Sequence, residues 1–272
     1  MGHNICLDTF GRPSPEEAAA GLTVHGEAGV ARYDVTRRDG GLTLTTGLPR
    51  ADLRFTRHLD LRGRTVRLRE TVENLGPFDR PIAWTQHVTL GPPFLERGVA
   101  HVRASATRSR VFEGDMGAGA YLVPGADFDW PLAPRIDGGT ADLRTLNAAP
   151  SASAFTTQLM DATREHAWCL AFNPDARLAF GCVWRTRDFP WLGLWEEHHG
   201  RTHAPWNGRT STLAFEFGVS PFPESRRAMI ARGALFGVPA FRWAPAGARL
   251  DVEYWVVLGH HEAAPDTLAW PG

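Results

Sequence analysis

The chain has no lysine, and all 29 of its basic residues are arginine. This absence excludes Schiff-base catalysis on a lysine amine and the phosphate-binding lysine of a P-loop. Cysteine is almost as scarce, with only Cys6, Cys169 and Cys182 at wide spacing. Such a set does not predict a disulfide framework. Cys169 and Cys182 lie in apolar runs, so we expect them to be small buried hydrophobic residues.

Long apolar segments are also absent. No stretch approaches the roughly 20 apolar residues of a membrane-spanning helix. Residues 1–20 contain Asp8, Glu16 and Glu17 and lack the apolar core of a signal peptide. The formal net charge is −1, so no overall field attracts nucleic acid or an anionic membrane. We therefore expect a soluble cytoplasmic protein whose partner is neither nucleic acid nor a membrane, with no particular oligomeric state indicated.

The chain is rich in short alternating segments separated by glycine and proline turns. The predicted strands are Val30–Val35, Leu42–Thr46, Ala51–Leu61, Thr65–Glu73, Ile82–Leu90, Val99–Ala106, Ser153–Leu159, His166–Phe172, Arg177–Trp184, Trp191–Glu196, Ser211–Val219 and Leu250–Leu258. Residues 113–153 predict a long irregular excursion, and Glu224–Arg232 predicts one helix. Many strands with little helix predict an all-β fold, a large many-stranded antiparallel β-sandwich that forms a single domain over residues 1–272.

Tryptophan is abundant, with ten copies against three tyrosines. Its flat apolar face and single donor suit the C–H faces of a sugar ring, although a large sandwich also uses tryptophan as core filling. Trp191, Trp195 and Trp206 are associated with loops and are the better candidates for ligand contact.

The segment from Arg67 to Leu95 predicts two strands joined by a turn at Asn74–Pro77. Because alternate residues on a strand share a face, Trp84 and Gln86 point one way and His87 points the other. The second strand breaks at Gly91-Pro92-Pro93, which places His87 near a loop rim, where catalytic groups often lie.

Two further positions attract attention. His25 is followed by Gly26 just before a strand, and glycine allows a ligand to approach the backbone closely. Glu216 is a single acid in an apolar strand, where a carboxyl group is either functional, paired, or at a strand edge facing water. Partial desolvation would raise its pKa and make it a better base near neutral pH.

A histidine-rich segment at residues 196–203 raises the question of a metal site. It contains His198, His199 and His203 beside Glu196 and Glu197. Adjacent histidines on an extended chain point apart, and the spacing matches no zinc motif, so we favour solvated loop histidines and predict no metal.

Several segments resemble motifs of the galactose mutarotase-like superfamily, which includes the aldose 1-epimerases. They are Val24–Glu27, similar to its His-Gly-Gly segment; Glu73–Gly76 with Trp84–Leu90, similar to its asparagine turn and the histidine that follows; and Phe241–Leu250, similar to its closing segment. The resemblance implies a β-supersandwich and cofactor-free interconversion of the anomers of a sugar or sugar derivative. It implies that Glu216 is the base on the anomeric hydroxyl, His87 the acid on the ring oxygen, and His25 a substrate-orienting group.

Other residues join the site in this interpretation. The expected substrate-binding residues are His25, Glu27, Gln86, Trp195, Glu196 and Trp206. Glu27 replaces the family's second glycine, and Glu196 remains an alternative to Glu216 as the base. Fewer residues precede His25 than the family has, which indicates a possible shortening of the N-terminus. The alternative function is a carbohydrate-binding protein on the same fold without turnover.

Overall fold

A computed structural model describes residues 2–271 and contains two large antiparallel sheets. About 50% of the chain is strand and 4% is helix. The predicted all-β class and the antiparallel sandwich are therefore confirmed.

The first sheet has eight strands and carries the residues of the candidate site. In spatial order its strands are β1 (His3–Asp8), β6 (Arg80–Leu90), β16 (Ser211–Gly218), β15 (Trp191–His198), β12 (Ala152–Met160), β8 (Ala106–Val111) and β9 (Asp127–Asp129), with β19 (Arg242–Ala244) also paired to β6.

The second sheet also has eight strands. Their order is β2 (Asp34–Arg38), β3 (Gly41–Leu48), β4 (Leu53–Arg62), β5 (Thr65–Asn74), β20 (Arg249–His260), β14 (Leu178–Arg185), β13 (His166–Asn173) and β7 (His101–Ala104). There are also two small two-stranded sheets. One pairs β10 (Leu132–Pro134) with β11 (Thr140–Asp142), and the other pairs β17 (Ala234–Leu235) with β18 (Val238–Pro239).

The main hydrophobic core combines apolar side chains from both large sheets. Trp84 and Phe217 come from the first sheet, and Phe55 and Tyr254 come from the second. Side chains alternate along each strand, so the residues between these core positions point to the other side of the first sheet. We call that side the outer face, and a second apolar cluster that includes Phe155 lies on it.

The two helices are short. Helix α1 spans Pro15–Ala19, and α2 spans Arg226–Arg232. At the start of α2 the Ser225 hydroxyl accepts a hydrogen bond from Ala228 N at 3.2 Å, which caps a free N–H group. The helix ends at Gly233, whose φ of 66° is favourable for glycine.

The strand predictions agree with the structure except at a few places. β1, β8 and the short strands β17, β18 and β19 were not predicted, and the segment expected at Val30–Val35 begins only at Asp34. The expected excursion at 113–153 contains the short strands β9, β10 and β11, and β12 begins at its end, at Ala152. Cys169 and Cys182 are buried as expected. No helix within residues 2–271 has the length and apolarity to cross a membrane.

Candidate functional site

His87 and Glu216 meet on the outer face of the first sheet. Strands β6 and β16 are antiparallel neighbours, and their register places Glu216 directly opposite His87. Directly opposite residues share a face, so the two side chains converge. His87 Nε2 lies 3.1 Å from Glu216 Oε1, and the Glu216 side chain is only 3% exposed. The structure thus joins two residues that are 129 positions apart in the sequence.

His25 approaches the same pair from a loop that crosses β1. Leu7 N donates to His25 O at 3.1 Å, and Ala28 N donates to Leu7 O at 3.2 Å. A Cβ atom on Gly26 would lie 2.2 Å from Leu7 O, so this crossing requires glycine. The His25 ring centroid lies 5.5 Å from that of His87. The three residues expected to act on substrate therefore lie together.

The ring orientation of His25 follows from its backbone contact. Its Nδ1 lies 2.6 Å from the carbonyl oxygen of Phe10, an atom that can only accept a hydrogen bond. Nδ1 therefore carries the proton, and Nε2 of the neutral ring keeps its lone pair. Burial, the largest effect, lowers the pKa of His25, so this neutral form dominates at pH 7.

Burial shifts the pKa values of the two facing groups in opposite directions. Desolvation, the largest effect, raises the pKa of Glu216 to about 8, although the positive charge of Arg201 opposes the rise. Desolvation also lowers the pKa of His87 to about 4. Both changes favour the neutral forms, as expected in a site removed from water. Between these pH values the pair holds one titratable proton, and the favoured position of that proton is on Glu216.

An aromatic wall lies next to His87. The Trp195 ring is 5.9 Å from the His87 ring and 5.5 Å from the Trp206 ring, measured between centroids. Within residues 2–271 the buried Nε1 of Trp195 has no hydrogen-bond partner. Arg201 lies over both tryptophan rings. The structure therefore places the predicted Trp195 and Trp206 beside the predicted acid-base pair.

Gln86 is not part of this site. It points into the space between the sheets and is completely buried. Its Nε2 donates to Glu70 Oε2 at 2.7 Å, and its Oε1 accepts from Arg57 at 3.0 Å. We therefore correct the expectation that Gln86 binds substrate, because strand alternation directs it away from His87.

Glu196 also lies outside this site, contrary to the expectation that it binds substrate. Its neighbours Trp195 and Glu197 face outward, whereas Glu196 points to the other side of the sheet. Its carboxylate accepts from Tyr121 Oη at 2.6 Å and pairs with Arg97 at 2.8 Å. Glu196 therefore cannot act as the base of a reaction beside His87.

Glu27 does not bind substrate as expected either. It is buried, and its Oε2 accepts a hydrogen bond from Ala51 N at 2.9 Å. Its other oxygen lies 3.6 Å from Arg50 Nη1. The side chain anchors the His25 loop to the turn before β4, which is a structural role.

Two cavities of the structure lie away from this pair, and neither is lined by His87 or Glu216. One, of about 310 Å³, includes Tyr121 and Arg135 in its lining, and the other, of about 170 Å³, includes Arg80 and Arg226. In the described part of the chain, no group of three or more histidine, cysteine or acidic side chains could hold a metal ion. His198 instead contacts the Ser211 hydroxyl through Nδ1 at 3.0 Å.

Comparisons with known proteins bear on the fold. No family model matches the chain, and no curated protein matches its sequence. Solved structures do match it. A proposed aldose 1-epimerase from Klebsiella pneumoniae has a TM-score of 0.68 at 16% identity, with 96% of this chain and 63% of that chain covered. The chain has the galactose mutarotase-like fold.

Two further structures with this fold agree. A proposed aldose 1-epimerase from Escherichia coli K12 has a TM-score of 0.64 at 11% identity, with 95% of this chain and 84% of that chain covered. A galactose mutarotase-like protein from Lactobacillus casei has a TM-score of 0.59 at 16% identity, with 94% and 85% covered. The fold expected from the sequence motifs is confirmed, and at these identities the likeness concerns the fold.

Three further side chains lie at the site and were not among the expected site residues. Thr89 lies two residues from His87 on β6, and its hydroxyl is 3.0 Å from His87 Nδ1. Glu197 faces outward on β15 and pairs with Arg201 at 3.3 Å. Strand alternation places Thr89 on the face of His87 and Glu197 on the face of Trp195, but no role at the site was predicted for either residue. Arg201 lies in a loop and had no such signal.

Proposed function

We propose that the protein is an aldose 1-epimerase that interconverts the anomers of a sugar or sugar derivative. The observation that carries the proposal is the 3.1 Å contact between His87 Nε2 and Glu216 Oε1, with the His25 ring 5.5 Å from that of His87. Anomer exchange needs one group that accepts a proton and another that donates one, and both must reverse roles. The facing pair supplies these two groups. Solved structures with the same fold include proposed aldose 1-epimerases.

The reaction can be written with these residues alone. Ionised Glu216 takes the proton from the anomeric hydroxyl while protonated His87 gives a proton to the ring oxygen, and the bond between the anomeric carbon and the ring oxygen breaks. The open-chain aldehyde rotates about its first carbon–carbon bond. The ring then closes on the other face as both proton transfers reverse. His25 Nε2 accepts a hydrogen bond from a sugar hydroxyl and orients the ring.

The protonation states fit this scheme. The reactive arrangement has the shared proton on His87, whereas the favoured arrangement has it on Glu216. These two arrangements contain the same number of protons, so they form the same macroscopic state of a coupled pair. That state dominates between the two pKa values, and internal proton transfer across 3.1 Å produces the reactive form.

The pH dependence of catalysis tests the proposal. Below about pH 4 both groups are protonated and no base remains, and above about pH 8 the shared proton is lost and no acid remains. We expect a bell-shaped profile of kcat/KM with limbs near these two values. The measurement is exchange-NMR of the anomers of an aldose from pH 3 to pH 10, with the spontaneous rate subtracted at each pH. A flat profile would contradict the assignment of chemistry to this pair.

One observation favours a second candidate, carbohydrate binding without turnover. Glu216 is almost completely covered, and neither of the two cavities described above reaches it. Trp206, at the edge of the aromatic wall, could then act as a sugar platform with Trp195. Saturable sugar binding with no exchange above the spontaneous rate would select this alternative.

A further inference from the structure

Arg201 occupies a defined position at the edge of the candidate site. Its guanidinium carbon lies 5.5 Å from the ring centroids of both Trp195 and Trp206. Its backbone N–H donates to Glu197 Oε1 at 2.9 Å, and its Nε lies 3.3 Å from Glu197 Oε2. Two aromatic rings and one carboxylate therefore hold the side chain against the aromatic wall, in which the Trp195 ring is 5.9 Å from that of His87.

The terminal nitrogens of Arg201 are not used by the protein. Across residues 2–271 neither Nη atom makes a hydrogen bond to another residue, and the side chain is 25% exposed. Such a fork of donors matches the oxygens of a carboxylate or phosphate group. The charge of Arg201 also reaches Glu216, where it opposes the rise in pKa. The guanidinium thus lies within electrostatic reach of Glu216.

The charge that is exposed at the aromatic wall of Trp195 and Trp206 is the positive charge of Arg201. Glu197 is completely buried, and it also accepts a hydrogen bond from Ser153 Oγ at 2.7 Å. Its negative charge therefore faces the protein, whereas the Arg201 charge is partly exposed. Glu216 holds a proton at pH 7, so it adds no negative charge that would repel an anion.

We propose that Arg201 is a specificity-determining residue that selects aldoses bearing an anionic group over neutral aldoses. The proposal rests on the proposed function, since it assigns the substrate class of the same site. The anionic group binds the free Nη donors while the ring carbon that reacts lies at His87 and Glu216. Charge-assisted hydrogen bonds are stronger than neutral ones, and the two tryptophan rings exclude water from one side of the contact.

Binding affinity tests the proposal without requiring turnover. Dissociation constants for glucose, glucose 6-phosphate and glucuronate would be measured by titration calorimetry with wild-type protein and with Arg201→Gln. We expect Arg201→Gln to weaken binding of at least one anionic sugar by about 10- to 100-fold and to change glucose binding by less than about threefold. The two anionic probes show whether the site takes a phosphate or a carboxylate.

Two other variants complete the experiment. Arg209→Gln removes the same charge from the same loop at an exposed position and should leave all three constants unchanged. Arg201→Lys keeps the charge without the planar fork and should restore part of the affinity. Equal weakening of all three ligands by Arg201→Gln would indicate a structural role and overturn the proposal. Wild-type protein that binds neither anionic sugar more tightly than glucose would also overturn it. If selectivity depends on Arg201 but no anomer exchange occurs, only the proposed enzymatic function fails.

Discussion

Glu216→Gln is expected to lower the protein-dependent rate of anomer exchange by about 10²- to 10⁴-fold, the usual contribution of one acid-base group. Glutamine retains the size of glutamate and can still hydrogen-bond to His87, but it cannot accept the anomeric proton. The rate would be measured by exchange-NMR at pH 6, between the two pKa values of the pair.

The same substitution should make the folded protein more stable at alkaline pH. The pKa of Glu216 rises on folding from an ordinary value of 4.5 to about 8. A carboxyl group with a raised pKa in the folded state stabilises that state fully below pH 4.5, and this stability is lost as the pH rises to about 8. Glutamine does not ionise, so Glu216→Gln should raise the free energy of unfolding at pH 8 by on the order of 3–5 kcal/mol relative to wild type.

Glu196→Gln is the matched control. Glu196 is also a buried acid, but it pairs with Arg97 on the other side of the sheet. This variant should keep the exchange rate within a few-fold of wild type at a temperature where the protein is folded. Exchange that survives in Glu216→Gln and disappears in Glu196→Gln would reverse the assignment of the base.

Glu70→Gln should produce a large loss of stability, on the order of 3–5 kcal/mol, because it leaves the charge of Arg57 buried without its partner. Glu70 is completely buried between the sheets and lies 2.7 Å from Arg57. Its carboxylate also accepts hydrogen bonds from Trp84 Nε1 at 2.8 Å and Gln86 Nε2 at 2.7 Å, and Tyr254 Oη lies 2.8 Å away. Urea unfolding with a fixed slope would measure the change.

An exposed pair that also joins β4 to β5 supplies the control for Glu70. Glu73 lies 3.1 Å from Arg54, and their side chains are 29% and 51% exposed. Glu73→Gln should cost less than about 1 kcal/mol, because water screens an exposed pair. If both variants cost the same, the network around Glu70 would not be the strong link between the sheets that its contacts indicate.

Alternation along single strands could be predicted from the sequence, and it is correct in detail. Trp84 and Gln86 point into the core and His87 points outward, as expected. The same rule should have excluded two of the expected binding residues. Gln86 cannot share a face with His87, and Glu196 cannot share one with Trp195. Each of the two residues is adjacent in sequence to a residue of the site, and adjacent residues on a strand point to opposite faces of the sheet.

Pairing between distant strands could not be derived from the sequence. The register that sets Glu216 opposite His87 depends on the packing of β6 against β16, which local patterns do not encode. β1 was missed for a similar reason. It is a six-residue segment at the edge of the first sheet in which His3, Asn4 and Asp8 are polar, so no alternating apolar pattern marks it as a strand. It becomes a strand by pairing with β6, and it then supports the His25 loop.

The most direct test of the proposed function is exchange-NMR of the wild-type protein with a panel of neutral, phosphorylated and carboxylated aldoses. For at least one sugar we expect an α/β exchange rate that rises above the spontaneous rate in proportion to protein concentration. Sugars that bind and saturate while their anomers exchange only at the spontaneous rate would contradict it.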